Sequence, residues 1–203
     1  MRRMFSRIAA CAGALLILFG GPVTGAESPG VPDAGATAAP AQKPFVFRNG
    51  IIWGMNPQQA ALIENTPMEL RSQMDWSVMV TDSPVTVSRF SATLVYLFYQ
   101  NALRMITYEF QDNCSALGFQ YLAGALSSVY GESQDASPVI VKSWMDRVYT
   151  NKYQLEQIRD VKEWTAEDGT HIYLFYFSAE NYAILYVCPE TAGGGTGFDT
   201  NGL

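Results

Sequence analysis

The sequence predicts an α+β domain: an antiparallel sheet of about six strands with two main helices packed on one face, divisible into two α/β3 halves. Two observations carry this. Helix-start signals stand at Asn56 and again at Asp112 or Asn113, and each is followed by runs rich in Val, Ile, Thr, Tyr and Phe. The resulting order is helix, three strands, helix, an ambiguous segment and three strands.

The first helix is marked by Asn56-Pro57-Gln58-Gln59: Asn56 caps, Pro57 suits the first helical position, and Gln59 completes a capping box. Asn65-Thr66-Pro67 stops it, since proline disfavours a helical residue before it. Strands are then expected over 76–81, 85–99 and 103–111, with Gln100-Asn101 as a hairpin turn. In the last of these, Ile106, Tyr108 and Phe110 alternate with Thr107, Glu109 and Gln111, the pattern of a half-buried strand.

A second helix runs from Asp112 or Asn113 to Tyr130, its apolar residues spaced near 3.6, and Gly131 ends it. Residues 138–158 are read as helical from Ile140, Trp144 and Val148, although Val139-Ile140-Val141 and Val148-Tyr149-Thr150 equally suit strands. The strand signals then clear: 161–165, an Asp168-Gly169 turn, 171–177 and 182–188.

The ends of the chain differ in character. Arg2, Arg3 and Arg7 precede an apolar run, Ile8 to Phe19, broken by Gly20, Gly21 and Pro22. That layout reads as a signal peptide over 1–26, cleaved after Ala26, and the run is too short to span a membrane of about 30 Å. Membrane contact is expected only if this segment is retained. Residues 27–44 read as a disordered linker, 45–189 as a single domain and 190–203 as a disordered tail.

Composition narrows the partners. A 203-residue chain with 48% hydrophobic and 16% charged residues suits one folded domain, and a charge of −6 argues against nucleic acid. Losing the three signal arginines deepens that charge to −9. One histidine and three scattered cysteines make a zinc site improbable, and no cofactor or metal is expected. In an oxidising compartment Cys114 and Cys188 form a natural disulfide pair, with two separately buried thiols as the other reading.

The run Gly50-Ile51-Ile52-Trp53-Gly54-Met55-Asn56-Pro57-Gln58-Gln59, closed by Asn65-Thr66-Pro67, resembles an opening found in small exported bacterial domains. It is similar to the Gly-Met-Thr-x-x-Gln…Gly-Thr-Pro segment of the small lipoproteins of the outer-membrane β-barrel assembly machine, and the architecture is similar to β-lactamase inhibitor proteins. The resemblance implies a layered α+β domain that binds protein, without catalysis or cofactor. Gly54 and Met55 would turn the chain into the helix, and Asn56 and Thr66-Pro67 would punctuate its ends.

An enzyme would need His171 as its imidazole base, with Asp168 as orienter and a serine as nucleophile, or else carboxylates among Glu109, Glu163, Glu167 and Asp168. The alternative function is therefore a small envelope hydrolase using acidic residues. The aromatic content points elsewhere. Strand residues including Tyr99, Tyr173, Phe175 and Phe177 exceed what one helix-covered face absorbs, so they are the expected partner-binding anchors on an open face. A cover from 138–158 or a homodimer partner is the competing account. The expected function is an exported, non-enzymatic binding domain of the cell envelope, acting on an envelope protein or on a second copy.

Overall fold

In a computed structural model of the chain, the structure describes residues 45–110, 115–149, 153–178 and 181–192. The first helix, α1 (Pro57–Ile63), forms as its punctuation requires: Asn56 accepts the Gln59 amide at 2.8 Å while the Gln59 side chain takes the Asn56 amide at 3.0 Å. Gly54, at φ +82°, turns the chain into it, and the segment is tied to the sheet by Gly54 N–H to Leu103 O and Leu103 N–H to Met55 O.

Five strands follow: β1 (Met68–Gln73), β2 (Trp76–Thr81), β3 (Val85–Val87), β4 (Phe90–Tyr99) and β5 (Ala102–Phe110). The run expected as one strand over 85–99 is broken at Ser88, which adopts φ 57°. Gln100 and Asn101, both at positive φ, make the β4–β5 hairpin turn.

Next comes α2 (Ala116–Tyr130), whose cap is Ser115; Asp112 and Asn113 lie outside the described residues. The short β6 (Gln134–Asp135) precedes α3 (Pro138–Trp144), which runs on as a π-helical turn over Met145–Tyr149. Then β7 (Ile158–Thr165), β8 (His171–Phe177) and β9 (Tyr182–Val187) complete the sheet, and a short α4 (Pro189–Ala192) follows. Gly169, at φ +86°, closes the β7–β8 turn.

Among the described residues the nine strands make one antiparallel sheet, in the order β1-β2-β4-β5-β9-β8-β7-β6, with β3 beside β4. This corrects the expected six-strand sheet with two main helices on one face. Among the described residues there are four α-helices, all short except α2, with α1 and α2 on one face and α3 on the other. On the first face, α1 and α2 cover Tyr96, Ile106, Phe110, Leu174 and Ile184. On the second, α3 and its π turn place Val141, Trp144, Met145 and Tyr149 over Tyr173, Phe175, Phe177, Leu185 and Val187.

The extra cover explains the strand sequences. All six residues of β9 are buried, as are all of β8 except His171, so these strands read as unbroken apolar runs. In β4 buried and part-exposed residues alternate instead. The unexpected β1, with sequence MELRSQ, has no β-branched residue, and its hairpin pairing with β2 rather than its own propensity makes it a strand.

Candidate functional site

The second face of the sheet is covered over only part of its width. Cover from α3 and the π turn ends near Trp76 and Leu97, which pack against its border. Beyond them Val78, Val80, Thr93 and Val95 are part-exposed on the same face, because the register sets Val78 opposite Leu97 and Val80 opposite Val95. Trp76 and Tyr99 face each other across β2 and β4 with ring centroids 5.1 Å apart, closing one end of this strip. Glu69 and Arg71 of β1 continue the face to the sheet edge.

Of the four expected anchors, Tyr99 alone lies on this strip. Tyr173, Phe175 and Phe177 are corrected: each is at most 1% exposed, under α3 and the π turn. The rings are locked together there. Tyr153 stacks on Phe177 at 3.9 Å, and Tyr149 meets Phe175 and Phe177 edge-on. The segment whose helix and strand signals conflicted is the cover that removes them from solvent. Val78, Val80 and Val95 escaped selection as site residues because a valine in a strand has the same sequence signature whether its face is covered or open.

The histidine has a different partner from the expected one. His171 Nδ1 donates to Glu163 Oε1 at 2.8 Å; the registers set His171 opposite Thr165 and Glu163 opposite Tyr173, so Glu163 stands one step along the same face. Glu163 is buried, and the Trp144 ring packs against the Tyr173 ring with centroids 6.0 Å apart. Burial pushes the Tyr173 hydroxyl well above its ordinary pKa. The Trp144–Tyr173 ring contact ties α3 to the sheet. Asp168 is occupied in its turn, accepting from the amides of Phe45 and Thr170 and from the Thr170 hydroxyl. Glu109 lies on β5 opposite Ala183, and Glu167 shares the β7–β8 turn with Asp168, so the candidate acids fall on β5, on β7 and in that turn.

A second buried carboxylate pins the first face. Glu64, with a fully buried side chain, accepts from Tyr96 Oη at 2.7 Å and Asn49 Nδ2 at 3.3 Å and pairs with Arg48 at 3.2 Å. Burial first, then the Glu64 carboxylate, hold the Tyr96 hydroxyl far above its usual range. The arrangement fastens the segment entering α1 and the segment leaving it to β4.

Cys188 is a buried thiol, unbridged among the described residues, whose Sγ lies 3.0 Å from Thr191 Oγ1. Cys114 lies outside the described residues. Its neighbour Ser115 sits at the opposite end of β9 from Cys188, where its carbonyl accepts from the Tyr182 hydroxyl. The described residues hold no group of three or more His, Cys, Asp or Glu side chains arranged to take a metal. In comparisons with known proteins, no family model, no curated protein and no solved structure matches this chain.

Proposed function

We propose that this chain is an exported, non-enzymatic binding domain of the cell envelope that engages an envelope protein through the open strip of its sheet. The observation that carries the reading is the strip itself: Trp76, Val78, Val80, Val95, Leu97 and Tyr99 form one part-exposed apolar surface beside a half-face that is fully covered. Flat aliphatic surface with aromatic anchors at one end suits a partner presenting its own flat apolar face. Export rests on the arginine-rich, apolar and small-residue pattern of residues 1–26.

A photo-crosslinking residue in place of Val80 tests this in the intact envelope. An adduct with an envelope protein is expected, and the same probe at Leu117, which is 76% exposed on α2, should give none. The second reading, a small envelope hydrolase using acidic residues, has one observation in its favour: buried Glu163 orients the chain's one histidine. Turnover in a hydrolase panel that His171→Gln abolishes, with no adduct at Val80, would replace the binding reading.

A further inference from the structure

The sheet ends in two unlike edges. At one, β6 is two residues long, β7 carries a register shift between Ile158 and Asp160, and Pro138 soon follows; each feature discourages strand addition. The other edge is β1, six residues without a proline or a register shift. Its outer side is defined by the hydrogen bond from Asp82 N–H to Pro67 O. Because antiparallel pairs alternate, residues 69, 71 and 73 spend their amides and carbonyls on β2, as Pro67 does its carbonyl, while Met68, Leu70 and Ser72 turn theirs outward.

We propose that β1 pairs with β1 of a second copy, antiparallel, about a two-fold axis through Leu70. The backbone of Met68 then bonds that of the partner's Ser72, and Leu70 bonds the partner's Leu70. That register sets Glu69 opposite the partner's Arg71 and Arg71 opposite the partner's Glu69, in the closely spaced pairs where cross-strand side chains interact most strongly. Within one chain these two side chains already pair with each other at 2.8 and 2.9 Å. They are therefore held on the correct face for the exchange. Leu70, 47% exposed, meets its own copy on the opposite face.

The neighbouring two-fold registers are self-repelling. A slip one way sets Glu69 against the partner's Glu69, and a slip the other way sets Arg71 against the partner's Arg71. The short sequence Glu69-Leu70-Arg71 thus specifies one pairing with a copy of itself. In that pairing the sheet runs through both copies and their open strips lie side by side. The contact does not depend on the envelope partner proposed above.

Sedimentation of the mature chain across a concentration series tests it. The average mass should rise from one chain towards two. Leu70→Pro should hold the chain at one copy without loss of thermal stability, since the amide it removes faces away from β2. Glu69→Arg alone and Arg71→Glu alone should each weaken pairing by ~10-fold or more, as two attractive pairs become repulsive. An equimolar mixture of those two variants should form mixed dimers, and the Glu69→Arg/Arg71→Glu double variant should again pair with itself. A chain that stays monomeric throughout, or a dimer that Leu70→Pro leaves intact, overturns the proposal. A monomer that still crosslinks through position 80 removes the pairing alone. A dimer without any envelope adduct sustains the pairing and removes the envelope partner.

Discussion

The two halves of this sheet meet opposite fates. Around β8 and β9 it is covered on both faces, by α2 on one and by α3 with its π turn on the other, and Tyr173, Phe175 and Phe177 vanish from solvent. Around β2 and β4 one face is packed while the other leaves Val78, Val80 and Val95 part-exposed. Similar side chains serve as core in one half and as surface in the other. The difference is a cover of about three helical turns, and it shows that ring content alone does not mark a binding face.

The largest break in this comparison comes from Phe175→Ala, which empties a ring-sized volume between Tyr149, Tyr173 and Phe177. Chemical denaturation should show a loss of about 3–5 kcal/mol. Glu64→Gln tests the packed face beneath the open half. It leaves Arg48 without its carboxylate, and the expected loss is about 1–3 kcal/mol; a change near zero would show that the pin is not structural.

The pH dependence has the same sign in both halves. Burial raises the hydroxyls of Tyr96, Tyr149, Tyr173 and Tyr186 above their ordinary value, while in the unfolded chain they ionise near pH ~10. Their contribution is intact below that pH, and stability falls as pH rises beyond it. Denaturant midpoints measured from pH 8 upwards should decline first above ~10. Replacing Tyr149 by Phe should lessen the decline, because it removes a buried hydroxyl from the covered half.

Val80→Ala, on the open strip, should cost about 1 kcal/mol or less in stability. Its effect belongs instead to the yield of the envelope adduct, so equal losses for Val80→Ala and Phe175→Ala would erase the distinction between the halves. The smallest expected signal is chemical. Cys188, 1% exposed, should resist a maleimide in the native state and react after unreduced denaturation; no reaction there would show that the thiol is already paired.

Much of this fold was legible in local signals. The Asn56 capping box, the stop at Pro67, the Gln100-Asn101 turn and the Asp168-Gly169 turn all act within a few residues, so the chain itself decides them. The paired alternation of β5 and the continuous apolar runs of β8 and β9 likewise announce strands. His171 was visible, but its partner was not. Asp168 is nearer in sequence, whereas Glu163 reaches it by the register of β7 against β8.

What the sequence by itself determined is therefore the two capped helices, the main strands and the turns between them, because capping, turn chemistry and side-chain period are local. Tertiary structure alone decided that β1 is a strand, since its partner β2 supplies the ordering that MELRSQ lacks. It also decided which aromatic residues are surface. The segment 138–149 has helix and strand signals in near balance, and the exposed aromatic face of β8 resolves them: a helix laid across the strands buries Tyr173, Phe175 and Phe177 together.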